Sequence, residues 1–479
     1  MHGIRTRGVL ELRFSIFDLR GHVVFGGDMC IRNPHLCIRP WAGLVPLLLA
    51  VTPFTNADDW PQWLGPQRDA VWRESGIIER FPTEGLKPLW KATVGPGYTG
   101  PAIAEEKVFL MDRVLSEGAK NPENLFKRGS IPGTERIHCF DQRTGKKLWS
   151  HDYPSAYTVS YPKGPRVTPA VENGRVYTLG AEGEFKCLNT TTGNAIWSRN
   201  FGKDYGAKTP TWGFAAHPLI DGNNVITLVG GEGSAVVAFD KMTGKEAWRA
   251  LTTKDVAYCA PVIYEAAGVR QLIVWLIDAI YALDPKTGKV HWSHEWLVRG
   301  GGSIAMPRKL NDHLFFGTFF NGSLMLKLHQ NQPGADQVWV SPKISAKDTT
   351  YLHSLNCVPW LENGYLYGVC NYGQLRCLQI NDGKRIWETL DAVALDKPRR
   401  NANAFIVKHE NRFIICPDNG DLVFAELSPK GYVELDRTNL IEPTDKDGGR
   451  PIVWSHPAFA GRCVFARNDK ELICVSLAE

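Results

Sequence analysis

The sequence lacks the short motifs by which most enzyme families are identified. No two of its 11 cysteines are adjacent, and it has no Cys-x-x-Cys-His haem-attachment motif, His-Glu-x-x-His zinc motif, Gly-x-Ser-x-Gly motif or phosphate-binding loop. Beyond the N-terminal region, apolar residues also do not recur with the period of an amphipathic helix. These absences argue against a zinc protease, a serine hydrolase, a nucleotide-binding enzyme and a helical fold.

The chain instead consists of short apolar runs separated by turns that contain glycine. Between residues 165 and 197, such turns occur at Asn173-Gly174, Glu182-Gly183 and Thr192-Gly193. Runs of about four to eight residues bounded in this way are typical of β-hairpins, because glycine adopts the positive φ that tight turns require. The pattern predicts an all-β protein.

One eleven-residue pattern that ends in tryptophan recurs along the chain. Its first full copy runs from Cys139 to Trp149, and a degraded copy has Pro333-Gly334 where the others have Thr-Gly. From Trp149 onward the tryptophans are 48, 51, 44, 47 and 48 residues apart. A fixed period of this length, with four strands per repeat, is typical of propeller blades. We expect the repeat tryptophans to pack between blades as structural residues; they are Trp90, Trp149, Trp197, Trp248, Trp292, Trp339 and Trp387.

The number of blades follows from the innermost strands, each of which is expected to begin after a small or polar pair and a proline. Eight such positions occur, from Pro101 to Pro457, and the seventh has Phe405 in place of proline. The last repeat ends at its third strand, so residues 87–91 must supply the fourth strand. The sequence therefore predicts, over residues 86–479, an eight-bladed β-propeller of four-stranded antiparallel blades whose ring is closed by an N-terminal strand.

The repeat resembles that of a known family. Its best copies, Ala238–Trp248 and Ala282–Trp292, are similar to the tryptophan-docking motif of pyrroloquinoline quinone (PQQ)-like propellers. That family includes quinoprotein alcohol dehydrogenases and the outer-membrane assembly lipoprotein BamB. The resemblance implies that a dehydrogenase would carry adjacent cysteines, Ca²⁺ ligands and a catalytic aspartate. Since no such motif is visible, we predict no catalytic residue, no metal site and no cofactor; PQQ with calcium is expected only if the chain is a dehydrogenase.

An apolar stretch near the N-terminus predicts export. Residues 41–54 have the length of a signal-peptide core, two arginines precede them, and small residues lie before Asp58. We interpret residues 1–57 as a signal peptide, of which residues 1–28 precede an alternative start at Met29. The stretch is too short for a transmembrane helix. We therefore expect a mature chain without a transmembrane segment, in the periplasm or outside the cell.

Two further segments fall outside the repeats. Residues 58–85 contain three tryptophans and are predicted to form an arm that packs on the ring. Residues 112–136 are rich in Lys, Glu, Asn and Gly and are predicted to form a surface loop. Removal of residues 1–57 lowers the formal net charge from +5 to about +2. A charge this small gives no reason to expect a nucleic-acid partner.

Candidate binding residues lie where the innermost strands begin, because those positions face the mouth of the axial channel. Aromatic, cationic and amide groups on a concave surface are typical of a site for a polar or anionic ligand, although water-filled channels are polar as well. The candidates are Tyr98, Arg166, Trp212, His217, Tyr258, His353, Asn401, Asn403, Trp454 and His456.

The resulting hypothesis is an exported, non-catalytic, monomeric propeller that acts as a binding or scaffolding module in the cell envelope. Its partner would be an envelope protein or a small polar ligand. The alternative is a PQQ- or quinone-dependent oxidoreductase, of the alcohol or sugar dehydrogenase kind, that uses the channel mouth. A polysaccharide-degrading enzyme is a third possibility, but the sequence shows no recognisable carboxylate pair. The fold alone does not separate these functions, whereas a quinone absorbance in the purified protein would favour the oxidoreductase.

Overall fold

The innermost strands surround an axial channel, and each begins at or within a few residues of the positions that the sequence indicates. A computed structural model describes residues 58–342, 345, 347 and 349–479, and the predicted signal peptide lies outside them. Nearly all regular structure in the described residues is β-sheet.

The repeated turns are stabilised by local hydrogen bonds. Asp141 Oδ1 accepts hydrogen bonds from the amide and hydroxyl groups of Thr144, and Gly145 has φ +68°.

Blades 1 to 4 follow one another along the chain, and each is a sheet of four strands. From the channel outward, the strands of blade 1 are Ala102–Ala104, Lys107–Leu115, Gly133–Asp141 and Lys147–Pro154. Those of blade 2 are Ala170–Glu172, Arg175–Leu179, Glu184–Asn189 and Ala195–Asn200. Those of blade 3 are Leu219–Asp221, Asn224–Leu228, Val236–Asp240 and Glu246–Ala250. Those of blade 4 are Val262–Ala266, Val269–Trp275, Ala279–Leu283 and Val290–Glu295.

Blades 5 to 8 complete the ring. The strands of blade 5 are Arg308–Leu310, His313–Thr318, Gly322–Leu328 and Ala335–Val340. Those of blade 6 are Trp360–Glu362, Tyr365–Val369, Leu375–Gln379 and Arg385–Thr389. Those of blade 7 are Ala404–His409, Arg412–Pro417, Asp421–Ser428 and Gly431–Asn439. Those of blade 8 are Ala458–Ala460, Cys463–Arg467, Glu471–Ser476 and, from the N-terminal part of the chain, Pro88–Thr93.

The N-terminal strand closes the ring as predicted. Pro88–Thr93 pairs antiparallel with Glu471–Ser476, and Trp90 lies opposite Cys474. This pairing covers the outer edge of the third strand of blade 8, which would otherwise be exposed. The prediction of an all-β, eight-bladed propeller is confirmed.

Six of the seven repeat tryptophans lie against the following blade. Each indole N–H donates to a backbone carbonyl in, or directly before, the turn between the third and fourth strands of that blade. The acceptors for Trp90, Trp149, Trp197, Trp248, Trp339 and Trp387 are the carbonyls of Gln142, Thr190, Lys241, Pro285, Ile380 and Ser428.

The glycine of the repeated turn is required by the tryptophan of the preceding blade. A Cβ atom at Gly288 would lie 2.5 Å from Cε3 of Trp248, and Gly288 also has φ +71°. A Cβ atom at Gly145, Gly193 or Gly244 would likewise come too close to the ring of Trp90, Trp149 or Trp197, respectively. Tryptophan and glycine therefore recur together because the indole ring of one blade lies flat on the glycine of the next.

Trp292 differs from the other repeat tryptophans. It donates to Oε1 of Gln271 within its own blade, at 2.7 Å. The following blade has the degraded turn, in which Gly334 lies against the His329 ring rather than beneath a tryptophan. The loss of Thr-Gly from the fifth blade thus leaves Trp292 without the acceptor that the others use.

The N-terminal arm crosses the axial channel. Trp60 exchanges two backbone hydrogen bonds with Ile103 in blade 1, each of 2.9 Å. Farther along, Val71–Trp72 adds a parallel fifth strand to the innermost strand of blade 7, with Val71 opposite Lys408. Since these two anchors lie on different innermost strands, the intervening residues span the channel.

Arg68 holds the middle of the arm in place. Its guanidinium donates to the carbonyl oxygens of Pro218 at 2.8 Å and of Pro261 at 3.3 Å, where blades 3 and 4 begin. Burial lowers the pKa of Arg68 to about 10, so the side chain stays protonated at neutral pH. Backbone carbonyls thus replace the water that a buried guanidinium would lose.

The arm closes one end of the channel. Trp60, Trp63 and Trp72 are only 3%, 5% and 1% exposed. Beyond Trp72 the chain packs against blades 7 and 8. In blade 7, Phe81 stacks on Phe424 with ring centres 4.2 Å apart. From there it reaches Pro88–Thr93, the strand that completes blade 8.

The remaining elements are short. They are the α-helix Phe201–Tyr205, the 3₁₀ turns Arg299–Gly301 and Asp391–Val393, and a hairpin of Asp445–Asp447 and Arg450–Ile452. Within the described residues no helix has the length and apolar character needed to cross a membrane.

The predicted surface loop over residues 112–136 is shorter than expected. Strands Lys107–Leu115 and Gly133–Asp141 extend into that range and pair along their full length. The loop proper therefore spans residues 116–132. The range predicted from sequence was too long because polar residues such as Asp112 and Glu135 were expected at the surface. Both side chains are instead buried and accept hydrogen bonds.

Candidate functional site

The end of the channel opposite the arm opens into a cavity of about 250 Å³. Trp63 of the arm forms its floor, and the indole ring stacks on His217 with ring centres 4.4 Å apart and planes 8° apart. Most of the wall residues come from segments that precede the innermost strands. Because the arm closes the far end, the channel mouth is a blind pocket, which we call the axial pocket.

Eight of the ten candidate residues line the axial pocket. They come from segments far apart in the chain, which the ring brings together around one axis. They are Tyr98, Arg166, Trp212, His217, Tyr258, Asn401, Trp454 and His456.

The other two candidates, His353 and Asn403, do not line the pocket. His353 is fully buried, and its Nδ1 lies 3.0 Å from the carbonyl oxygen of Phe319. Asn403 is also buried, and its backbone N–H donates to Asp418 Oδ2 at 3.1 Å. The structure therefore does not bring these two candidates together with the other eight.

Sequence reasoning also missed several residues of the pocket. Trp63 comes from the arm, Phe126 from the loop 116–132, and Phe319 and Phe320 from a hairpin turn in blade 5. Arg400 precedes the innermost strand of blade 7. A detectable signal existed for the phenylalanines, since two adjacent aromatic residues directly before Asn-Gly are unusual in an exposed turn.

Aromatic residues make up nine of the 21 residues that line the pocket. Trp454 lies 6.4 Å from Tyr98 and 6.0 Å from Tyr161 between ring centres. Across the lining, Trp212 lies 5.3 Å from Tyr258. Rings arranged in this way present apolar faces to a bound ligand and lose little conformational entropy when it binds.

The loop 116–132 contributes one wall at the mouth. The ring of Phe126 meets that of Tyr161 edge to face, with centres 5.1 Å apart. The loop is held by Arg128, whose Nε donates to the carbonyl of Thr158 at 2.7 Å. Phe126 remains about half exposed, as expected of a side chain at the rim of a pocket.

The only charged side chains in the lining of the described pocket are Arg166 and Arg400. Arg166 donates to the carbonyl oxygens of Ser160 at 2.8 Å and Tyr161 at 2.7 Å, and its guanidinium lies 5.2 Å from the Tyr98 ring centre. Arg400 is exposed and lies 5.4 Å from the ring centre of Phe319. Neither forms an ion pair with a carboxylate of the described chain.

The other ionisable groups of the lining are held neutral. Burial lowers the pKa of His456 to about 3 and that of His217 well below its usual range, where His456 and Arg68 add to the effect. Burial also raises the pKa of Tyr98 well above its usual value and that of Tyr161 to about 12. At neutral pH the pocket therefore combines two fixed positive charges with neutral rings.

Buried neutral histidines make the fold sensitive to acid. Burial lowers the pKa of His353 to about 4, and Arg376 contributes to this. The unfolded chain, with an ordinary histidine pKa near 6.5, therefore binds more protons between these values, and stability falls as the pH decreases from about 6.5 toward 4. We expect His353→Gln to remove up to about 3 kcal/mol of this loss.

The measurement is the melting temperature of both proteins from pH 4 to pH 7. The control is Arg143→Gln, at an exposed side chain on the outer turn of blade 1, which should leave the pH dependence unchanged. An equally steep pH dependence in His353→Gln and in the unaltered protein would show that His353 is not buried in its neutral form.

A family model described as outer membrane protein assembly factor BamB matches residues 133–389, which is more than half of the chain. The chain belongs to this BamB-like family. The matched residues run from the third strand of blade 1 to the fourth strand of blade 6. They include the strands that carry most of the repeat tryptophans.

The individual relatives include both proteins of that name and an alcohol dehydrogenase. The chain is 26% identical to the outer membrane protein assembly factor BamB of Burkholderia pseudomallei (strain K96243) over 253 residues, which cover 50% of this chain and 59% of that protein. It is 25% identical to the quinohemoprotein alcohol dehydrogenase ADH-IIG of Pseudomonas putida over 227 residues, 45% of this chain and 28% of that enzyme. The match thus spans less than two thirds of either relative.

A solved structure shows the shared fold. The quinohemoprotein alcohol dehydrogenase from Comamonas testosteroni superimposes with a TM-score of 0.58 at 12% identity, over 88% of this chain and 80% of that enzyme. At this identity the likeness concerns the fold alone.

The resemblance to quinoprotein dehydrogenases raises the question of whether the axial pocket fits a calcium-bound quinone. Calcium prefers several oxygen ligands, among them carboxylates. The lining contains no aspartate or glutamate, and Asp418, which lies behind Trp454, is already bound by both terminal nitrogens of Arg450 at 2.6 and 2.8 Å. The described residues contain no cluster of three or more metal-ligating side chains. The donor groups of the lining therefore do not fit the calcium ion.

Proposed function

We propose that the protein is an exported, non-catalytic propeller of the cell envelope that binds a small ligand in its axial pocket. The observation that carries the proposal is the pocket itself, a blind cavity walled by aromatic rings with two unpaired guanidinium groups. Concave, mostly apolar sites with a few fixed polar groups are the usual form of ligand-binding sites.

The ionisation of the lining supports a non-catalytic role. General acid–base catalysis is most efficient with a group whose pKa lies near the working pH. The histidines of the pocket have lowered pKa values and the tyrosines Tyr98 and Tyr161 have raised ones. These groups are poor proton carriers at neutral pH.

Location in the envelope is supported by the relatives and by the predicted signal peptide. Relatives that match this chain carry the name outer membrane protein assembly factor. The predicted signal peptide, residues 1–57, adds an independent argument from sequence. We extend the envelope location, but not a particular partner, to this chain.

We expect no PQQ- and calcium-dependent reduction of an electron-acceptor dye when alcohols or sugars are supplied to the purified protein. The physical reason is the absence of a calcium-binding carboxylate from the lining. A quinoprotein alcohol dehydrogenase assayed in parallel serves as the positive control.

The alternative function, a quinone-linked oxidoreductase, is favoured by the similarity to the Pseudomonas putida enzyme. Dye reduction that requires PQQ, and that is lost in Arg166→Gln but kept in Arg143→Gln, would establish this alternative. Arg143 is an exposed arginine on the outer turn of blade 1 and serves as the matched control.

A further inference from the structure

We infer that the axial pocket binds a small planar aromatic carboxylate. This inference rests on the proposed binding function and names the chemical class of its ligand. Three features of the pocket lead to it: the charge of its lining, its aromatic walls and its volume.

The charge of the lining favours an anion. Among the described residues of the lining, Arg166 and Arg400 are the charged ones. The acidic groups near the rim already have partners, since Asp469 lies 3.3 Å from Lys163 and Asp447 accepts from the side-chain amide of Asn401 at 3.2 Å. An incoming carboxylate would therefore meet guanidinium groups without a competing carboxylate in the lining.

Arg166 is oriented but not saturated. Its terminal nitrogens donate to the carbonyls of Ser160, Tyr161 and Gly164. A guanidinium group has five N–H donors, so about two remain for a ligand. Because the carbonyl contacts fix the plane of the group, a carboxylate would bind without further ordering of this side chain.

The walls favour a flat ring over a sugar. Trp454, Trp212 and Tyr258 present aromatic surfaces, and the side-chain amides of the described lining are limited to Asn356 and Asn401. A sugar exposes several hydroxyl groups, each of which requires a partner once it is removed from water. A planar aromatic ring instead gains from stacking and needs a polar partner only at its substituents.

The size of the cavity suits a small ligand. A volume of about 250 Å³ lies just below the range of about 300–1,000 Å³ that is usual for drug-sized ligands. A naphthalene ring with one carboxylate is therefore a suitable probe.

The experiment measures binding of 2-naphthoate by calorimetry and by quenching of tryptophan fluorescence. The neutral isostere 2-naphthamide tests the contribution of charge, and glucuronate tests an anionic sugar ring. We expect 2-naphthoate to bind at least about tenfold more tightly than 2-naphthamide, as a charged hydrogen bond implies, and glucuronate to bind more weakly than both.

Variants locate the interaction. Arg400→Gln, at an exposed side chain, should fold normally and reduce the preference for naphthoate over naphthamide. Arg166→Gln should do the same, but it also removes contacts within the Ser160–Gly164 segment, so its melting temperature must be compared with that of the unaltered protein. Arg143→Gln should change neither probe, and Trp454→Leu should weaken both probes by similar factors.

The outcomes separate this inference from the proposed function. Equal binding of the two naphthalene probes would overturn the carboxylate preference, and tighter binding of glucuronate would overturn the aromatic class, while both would leave a binding function in place. If none of the probes binds, the inference is wrong. If PQQ-dependent dye reduction is found as well, the non-catalytic function is also wrong.

Discussion

A chain that begins at residue 95 is expected to aggregate, or to melt far below a chain that begins at residue 58. The shorter chain lacks Pro88–Thr93, so Glu471–Ser476 becomes an exposed edge strand. It also lacks Trp90, whose indole ring lies on Gly145 of blade 1 and donates to Gln142 at 2.9 Å. Both the blade and its contact with the next blade are therefore lost.

A third chain, beginning at residue 74, separates the two roles of the N-terminal segment. It keeps the closing strand Pro88–Thr93 but lacks the part of the arm that crosses the channel. We expect an intermediate melting temperature and loss of binding in the axial pocket, because the Trp63 floor is missing. Equal melting temperatures for the chains that begin at residues 58 and 95 would refute closure by the N-terminal strand.

Replacement of Trp248 by alanine should lower the free energy of unfolding by about 3–5 kcal/mol, as truncation of a large buried side chain does. Trp248 is 8% exposed and donates to the carbonyl of Pro285 in the next blade at 3.1 Å. Denaturant unfolding followed by circular dichroism measures the change. The matched control is Trp292→Ala, which should cost less because Trp292 is more exposed and is bound within its own blade.

A double-mutant cycle with Gly288 tests the cause. Gly288→Ala should also be destabilising, because its Cβ would meet the Trp248 ring and because its φ is +71°. If the ring is the main obstacle, Gly288→Ala should cost much less in the Trp248→Ala background than in the unaltered protein. Fully additive effects would show that the two residues do not act through one contact.

The fold could be predicted because the repeat combines two requirements in one short pattern. The glycine supplies both the positive φ of a tight turn and the flat surface on which the tryptophan of the preceding blade lies. Because the glycine serves both the turn and the contact with tryptophan, the Gly and Trp positions recur together in most copies of the repeat. Where one constraint is lost, as at Pro333-Gly334, the partner residue Trp292 changes its contact, which the spacing alone does not show.

The candidate site could be predicted only where it depends on the repeat. Residues at the starts of innermost strands mostly line the pocket, because the ring turns each strand start toward the axis. His353 is an exception because its ring contacts the carbonyl of Phe319 in blade 5, a contact between blades that the spacing of the repeat does not show. Trp63, Phe126 and Arg400 come from irregular segments, whose paths depend on tertiary contacts that no period describes.

The path of the arm has a consequence for the order of folding. The arm is the first part of the propeller to be synthesised, yet His409, which binds the carbonyl of Trp72 through Nδ1 at 3.1 Å, is separated from it by 337 positions. Contacts of such long range form slowly because a large loop must close first. The docking surfaces for Trp60, Arg68 and Trp72 exist only when blades 1, 3, 4 and 7 have formed. The first segment to emerge is therefore the last to reach its place, and the binding pocket acquires its floor only in a nearly finished molecule.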